Sequence, residues 1–394
     1  MSEPVTSWLE EQLGNYIDDL RYLSGIDSGS YDKAGIDQVQ DWFQDQLRAL
    51  GFEVQRLTEE TCGDDILATR AGTGTRKVML LGHADTVFPI GTAAERPVTI
   101  EGDKLLGPGT CDMKAGLLTG LYAIKALDQL GWNGLGELAF FIVSAEEIDD
   151  RHSNPLMEDL GPKMDAVLTL EAARENGDIV TSRKAGKWLT IEVFGKAAHA
   201  GVEPEKGASA TLALGHIITN VFALNAMRPG ITINPGEIAG GGRPNVVADY
   251  AKAEFDVRAW SNADLDAAID AIDRVANQGY VPGTRVEITI DPDSGCPAME
   301  YTDGTKRLEA ASIEIAQELG FPLKGASTGG GSDVSFACHA GTPGLDGLGP
   351  IGGLDHSPDE YILVSSIVPR TALLAKLLQR IGEGEEFDYA ARAG

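Results

Sequence analysis

Trp8, Leu9, Leu13, Ile17, Leu20 and Leu23 recur at three- and four-residue steps. Val39, Trp42, Phe43, Leu47 and Leu50 do the same ahead of Gly51, and this spacing predicts two helices within residues 5–50. The period then shortens. "FEVQRL" alternates like a half-buried strand, whereas "KVMLLGH" and "ELAFFIVSAEE" are compact apolar runs of the kind buried on both faces of a sheet. Between those two runs, "AGLLTGLYAIKALDQLG" has helical spacing and stops at Gly131. Strand, helix, strand in that order predicts a parallel sheet. A third run, "DAVLTLE", repeats the arrangement of an apolar strand followed at once by a carboxylate, Glu171.

The pattern changes in the middle of the chain. The amphipathic strand "WLTIEVFG", the helix "GASATLALGHIITNVFALN", the strand "ADYAKAEFDVRAW", the helix "ADLDAAIDAIDRVANQ" and the strand "RVEITI" read as a small α+β unit inserted near residues 186–297. Residues 1–185 and 298–394 then form the two parts of a larger domain. Its second part carries a helix at 303–319, the glycine-rich "STGGGSDVSFA", a loop ending in "LDHSPDEYI" and a last helix at 364–381. The fold class expected is α/β: a mixed, mostly parallel sheet flanked by helices, interrupted by the smaller α+β domain.

Length and charge limit what such a chain can do. With 394 residues it exceeds what one hydrophobic core usually serves, which agrees with two domains. Its formal charge of −28 repels phosphate backbones and anionic lipid surfaces, so no nucleic acid and no membrane partner is expected. The first residues, "MSEPVTSWLEEQLGNY", contain no apolar targeting segment, and the four cysteines, Cys62, Cys111, Cys296 and Cys338, form no Cys-x-x-Cys pair. A soluble, unexported protein of the reducing cytoplasm is the expectation.

Potential ligands collect where the apolar strands end. Open α/β sheets bind ligands beyond the carboxyl ends of their strands. His83 and Asp85 leave such an end two positions apart, so Asp85 can orient one ring nitrogen while the other binds a metal. Taken alone, a histidine there is more often structural than a ligand, and an adjacent Glu pair more often opens a solvated helix. Yet "GPGTCDMKAG" places Asp112 in a glycine-rich turn, "SAEE" places Glu146 and Glu147 past the next strand, and "LDHSPDEY" adds His356. Two adjacent carboxylates leaving a strand divide labour naturally, one on a metal and the other on the reacting water. Two histidines with several carboxylates suit zinc, cobalt or manganese better than magnesium.

"GHADTV", "GPGTCDMKAG", "SAEE", "GKAAHAG", "RPNVVAD", "DVR", "TGGGSD" and "DHSPDEY" together resemble the co-catalytic dizinc carboxypeptidases and deacylases. That family includes bacterial glutamate carboxypeptidase, acetylornithine deacetylase and succinyl-diaminopimelate desuccinylase. The resemblance runs nearly end to end. It implies a catalytic domain interrupted by a lid and dimerisation domain, and two divalent ions held by five ligands. His83 and Glu171 would serve one ion, His356 and Glu147 the other, and Asp112 both. It implies Glu146 as general base, Asp85 as the residue orienting His83, and a cis Asp112–Met113 peptide bond. From the lid it implies His199 on the oxyanion, often across a dimer interface, with Asn245 and Arg258 on a substrate carboxylate, a task that suits the bidentate fork of arginine. The "TGGGSD" stretch lacks the Lys-Ser/Thr of a phosphate cradle and instead lets backbone near Gly330 approach the substrate. One departure stands out. Ser327 occupies a place where glutamate carboxypeptidase-like sequences can carry an arginine, so Arg183 or Lys184 is a substitute source of charge. The resulting expectation is a metal-dependent amidohydrolase that cleaves an amide bond of a small N-acyl amino acid or dipeptide-like substrate in carboxypeptidase fashion, as a homodimer. The alternatives are a deacylase or aminohydrolase with another amine leaving group, and a ligand-binding relative without catalysis. No chemical role is expected for His152, His216 or His339.

Overall fold

A computed structural model describes residues 4–148, 151–292 and 294–387. It divides into two compact units, one of Met1–Ser182, Tyr301–Thr328 and Ser332–Gly394, the other of Arg183–Glu300 and Gly329–Gly331.

The larger unit is built on a six-stranded sheet in the order Glu53–Leu57, Asp65–Ala71, Glu137–Val143, Lys77–His83, Ala166–Thr169, Gly344–Leu345. The last four strands run parallel and the first two join antiparallel, giving the mixed, mostly parallel sheet expected. The central strand shows why its sequence is uniformly apolar: Val78 and Leu80 face one side, Met79 and Leu81 the other, and all four are fully buried. Each such aliphatic side chain contributes about 1.5–3 kcal/mol on burial. Helices Pro4–Ser24, Ala115–Gln129 and Val364–Glu383 pack together in the core, and Lys33–Ala49 packs near the antiparallel edge.

Register brings the strand ends together. His83 lies opposite Val143, and Leu81 lies opposite Thr169, so His83, the "SAEE" turn and Glu171 all emerge along one edge. Two glycines allow the Asp112 turn to close on this edge. A Cβ on Gly82 would lie 2.5 Å from the Met113 Cε atom, and one on Gly116 would lie 1.8 Å from the Leu170 carbonyl oxygen. Helix Ala115–Gln129 therefore starts directly against the strand ends.

A second, four-stranded sheet was not anticipated from the apolar runs. It pairs Gly352–Gly353 with Tyr361–Leu363, then Lys104–Leu106, then Thr99–Glu101. These strands of two or three residues are too short to carry a readable alternation, yet they hold the "DHSPDEY" loop beside the chain that leads into Asp112. Strand Asp65–Ala71 was likewise not recognised, its apolar alternation being broken by Thr69 and Arg70.

The smaller unit has a four-stranded antiparallel sheet in the order Thr232–Gly240, Tyr250–Ala259, Ala185–Phe194, Arg285–Ile290. Helices Ala210–Ala223 and Asn262–Ala276 cover it, burying Leu189, Ile191 and Val193 against Leu214, Ile217 and Ile272 in a core of its own. Ser209 and Ser261 cap the two helices, accepting from the backbone N–H of Leu212 and Asp264. Thr232–Gly240 is the strand that periodicity misses, because Asn234–Pro235–Gly236 interrupts it with a bulge. As an edge strand it tolerates the proline. Among the described residues, no helix is long and apolar enough to cross a membrane.

Candidate metal centre

Asp112 sits between two histidines. Its Oδ1 lies 2.9 Å from His83 Nε2, and its Oδ2 lies 3.2 Å from His356 Nε2. A carboxylate oxygen of Glu171 approaches His83 Nε2 at 3.5 Å, and one of Glu147 approaches His356 Nε2 at 3.1 Å. Five side chains thus form two donor triplets that share Asp112. Among the described residues, the three-donor sets whose donor atoms lie within 4.8 Å of one another are grouped differently, as His83–Asp112–Glu147 and Asp112–Asp355–His356, with Asp112 again common to both. Asp355 was not among the residues singled out in the sequence.

The electrostatics match a cation site. Burial raises the Glu147 carboxyl to about 8 and the Glu171 carboxyl to about 7, with Asp112 adding to both shifts. Burial opposes charge on His83, but hydrogen bonds to the carboxylates of Asp112, Asp85 and Glu171 outweigh it and hold the ring well above its ordinary pKa. The hydrogen bond to Asp112 raises His356 to about 9. Burial likewise opposes ionisation of Asp112, and the two histidines overcome it, holding that carboxyl below the usual range. Protons here neutralise a crowded set of acids that a divalent ion would neutralise better. One further observation tests the fit: Glu147 Oε1 is buried and has no hydrogen-bond partner among the described residues, as suits an oxygen aimed at an ion.

The centre is held from behind by residues that make no claim on a metal themselves. Asp85 accepts at 3.2 Å from His83 Nδ1, which leaves Nε2 of the neutral ring as the ligand nitrogen. The same carboxylate accepts from Ser30 Oγ at 2.7 Å and from the backbone N–H groups of Glu146 and Glu147, both at 3.2 Å. Asp85 therefore orients the histidine and also positions the acid pair. Glu360 accepts from the backbone N–H groups of Gly109, Cys111 and Asp112 at 3.0, 2.7 and 3.0 Å. Since Glu360 follows His356 closely in the chain, one loop fixes both ends of the Asp112–His356 contact. The Asp112–Met113 bond is cis. Leu354 and His356 take left-handed backbone at φ 57° and 60°. Such positions cost about 1–3 kcal/mol each and cluster at functional sites.

A family model described as peptidase family M20/M25/M40 matches residues 79–380. The chain belongs to that family. Carboxypeptidase G2 of Pseudomonas sp. (strain RS-16) is 29% identical over 371 residues, covering 93% of this chain and 89% of that protein. Acetylornithine deacetylase of Vibrio vulnificus is 27% identical, covering 94% and 99%. Among solved structures, the aminopeptidase PepT from Bacillus cereus shares the fold with a TM-score of 0.80 at 22% identity, covering 94% of this chain and 99% of that one. The protein is accordingly a metal-dependent amidohydrolase.

Other M20 candidate residues fall into two groups. Glu146 lies beside the centre without joining either donor triplet, and burial, reinforced by the charges of Asp333, Glu171 and Glu147, raises its carboxyl well above the ordinary value. Asp333 is an acid that sequence reasoning passed over although it quoted the "TGGGSD" stretch. It is buried, burial and the Glu171 charge raise it to about 8, and its Oδ2 has no hydrogen-bond partner among the described residues. Asp65 was also passed over: it accepts from Ser144 N at 2.9 Å and Ser144 Oγ at 2.8 Å, fixing the turn into Glu146. His152 lies 3.2 Å from Asp65 and belongs to that support.

The second group lies in the smaller unit. His199 pairs with Val246 in an isolated bridge, and Ala200 N donates to the Asn245 carbonyl at 3.0 Å, so His199 and Asn245 occupy facing segments. His199 is exposed, and its Nδ1 accepts from Gly201 N at 3.2 Å, which makes Nε2 the protonated nitrogen of the neutral ring. Arg258 forms an ion pair with Asp256 at 2.9 Å and donates to the Gly329 carbonyl at 2.6 Å. Gly330 accepts from Arg183 Nη1 at 3.2 Å through its carbonyl. Lys184 lies 5.1 Å from the Trp260 ring. Ser327, in the larger unit, accepts from Ser182 Oγ at 2.7 Å.

Proposed function

We propose that the chain hydrolyses the amide bond of a small N-acyl amino acid or dipeptide-like substrate, in carboxypeptidase fashion, with two divalent ions at the centre. Zinc is the first choice, with cobalt or manganese as alternatives. His83 and Glu171 would hold one ion, His356 and Glu147 the other, and Asp112 would bridge them. Such a pair polarises an amide carbonyl and makes a water molecule acidic near neutral pH. The observation that carries this reading is Asp112, whose two oxygens face different histidines at 2.9 and 3.2 Å.

Glu146 is the general base. Its carboxylate removes a proton from the attacking water and returns it to the departing nitrogen, so that water and amide become carboxylate and amine. Asp85 keeps His83 in the tautomer that presents Nε2. Residues 186–297 act as the lid: His199 supports the oxyanion, while Asn245, Arg258 and the backbone at Gly330 hold the substrate's free carboxylate. A homodimer formed through the lid is part of the same proposal, as is a cytoplasmic site of action.

A second reading, a deacylase releasing a different amine, is favoured by Ser327, which stands bound to Ser182 where glutamate-specific relatives can carry a cation. Turnover of a panel of N-acyl amino acids and dipeptides by metal-loaded protein separates the two. Preference for a C-terminal glutamate supports the first, preference across amines without a carboxylate supports the second, and no hydrolysis of any amide contradicts both.

A further inference from the structure

Arg370, on helix Val364–Glu383, is only 1% exposed, and no step proposed above uses it. Its Nε donates to the Gly349 carbonyl at 3.0 Å, its Nη1 to the Gly177 carbonyl at 3.1 Å, and its Nη2 to the Gly347 carbonyl. Among the described residues it pairs with no carboxylate, and burial pulls the guanidinium down to about 10, opposed by the charge of Asp178. It therefore stays a cation at neutral pH. A buried cation without a paired anion is costly, and an apolar side chain would fill the same space without that cost. What an apolar side chain lacks is a planar fork whose donors reach three carbonyls at once.

The carbonyls it holds belong to a segment that runs from one ion's ligand to the other's. Leu348 N donates to the Thr169 carbonyl at 3.3 Å, Gly349 N to the Glu171 carbonyl at 2.8 Å, and Ala173 N to the Pro350 carbonyl at 3.0 Å. A Cβ on Gly349 would fall 2.7 Å from the Leu170 carbonyl oxygen and 2.9 Å from that of Glu171, so the segment lies directly against the strand end that presents Glu171. One turn before Arg370 on the same helix face, Ser366 Oγ accepts from Ile351 N at 2.9 Å. Gly352–Gly353 then enters the short sheet, and His356 follows. The backbone of Glu171 and the loop of His356 are thus both tied to one helix face, through Arg370 and Ser366.

Resting on the two-ion reading above, we propose that Arg370 is a positioning residue that fixes Glu171 relative to His356 and so matches the two donor triplets to their ions. It acts through its hydrogen bonds to the segment and makes no contact with a ligand side chain. Lysine at this position keeps the charge and loses the fork.

The test compares Arg370→Lys and Ser366→Ala with Thr371→Ala. Thr371 is equally buried on the same helix, but its hydroxyl donates within the helix, to the Ile367 carbonyl at 2.7 Å. Zinc affinity is measured by competition with a chromophoric chelator, ligand geometry by the visible spectrum of the cobalt-loaded protein, and stability by thermal unfolding of the metal-free protein. Arg370→Lys is expected to weaken zinc binding by about 10–100-fold, the scale of losing an outer-shell partner, and to change the cobalt spectrum. Ser366→Ala is expected to move both readouts by less. Thr371→Ala is expected to lower the unfolding temperature while keeping wild-type affinity and spectrum. Zinc affinity and cobalt spectrum unmoved by Arg370→Lys, or moved as much by Thr371→Ala, overturns the proposal. Should Arg370→Lys not fold, Ser366→Ala decides in its place: both readouts changed there and not in Thr371→Ala support the anchor, and both unchanged overturn it. A wild type that takes up a single ion rejects the two-ion reading, and the anchor then stands or falls on that ion's affinity and spectrum. Two ions in the wild type with no effect of Arg370→Lys reject the anchor alone.

Discussion

His83 and His199 are both candidate working histidines, and the molecule treats them oppositely. His83 is almost completely buried at the end of a central strand, and carboxylates of Asp85, Asp112 and Glu171 surround its ring. His199 is exposed in the smaller unit, and among the described residues its ring accepts from the Gly201 backbone N–H. The same contrast separates Asp112, whose backbone N–H donates to Glu360, from Arg258, whose half-exposed guanidinium pairs with Asp256 two residues earlier on the same strand face. Groups that must hold an ion in fixed geometry are preorganised before any ligand arrives. Groups that meet a substrate keep their freedom until it binds.

Substitutions can break this contrast. The largest effect is expected for Glu146→Gln, with turnover falling roughly 10²–10⁴-fold while metal content stays at the wild-type level, because glutamine binds water without accepting its proton. Metal analysis beside steady-state kinetics checks it, and loss of metal in this variant together with full metal in Glu147→Gln would exchange the two roles. His199→Ala is expected to lower kcat by about 10²–10³, the scale of one oxyanion donor, also with metal retained. If His199 acts across a dimer, mixing His199→Ala with Glu146→Gln chains restores part of the activity.

Support residues should give smaller effects on a different readout. Glu360→Gln removes part of the acceptor that holds the Asp112 turn and is expected to weaken metal affinity by about 10–100-fold, as loss of an outer-shell partner does. A competition titration against a chromophoric chelator measures this. The smallest effect per step is that of pH. In the metal-free protein burial pushes the Glu171 and Glu147 carboxyls up to about 7 and about 8, and the hydrogen bond to Asp112 raises His356 to about 9. A metal displaces the protons that these groups carry below those values, so affinity should rise with pH across roughly 6–9, by up to about tenfold per pH unit for each proton released. Calorimetry in buffers of different ionisation enthalpy counts those protons. Affinity that stays flat, or falls, across this range contradicts the ligand set.

Much of the centre was legible because strand ends are where an α/β sheet exposes chemistry. Apolar runs followed at once by His83, by Glu146 and Glu147, and by Glu171 announce both the strands and what leaves them. The periodicity changes after residue 185, and a compact unit begins at Arg183, although strand Thr232–Gly240 was hidden by its proline and bulge. Glu360, Asp333 and Asp65 were not legible. Each is an acid whose importance comes from burial, and a sequence rich in exposed acids offers no local mark that separates the few it buries. The short sheet that presents His356 escaped notice for a related reason, since a strand of two or three residues has no period to read. The pairing of His356 with Asp112, 244 positions away, could be inferred from family resemblance but not from spacing.

Metal stoichiometry tests the shared role of Asp112 most directly. Elemental analysis of protein dialysed against a low-micromolar zinc buffer should find two ions per chain in the wild type, close to one in His356→Ala, and fewer than one in Asp112→Ala, because the last removes a donor from both triplets at once. A single ion in the wild type, or two ions retained in Asp112→Ala, would contradict a centre in which one carboxylate serves two metals.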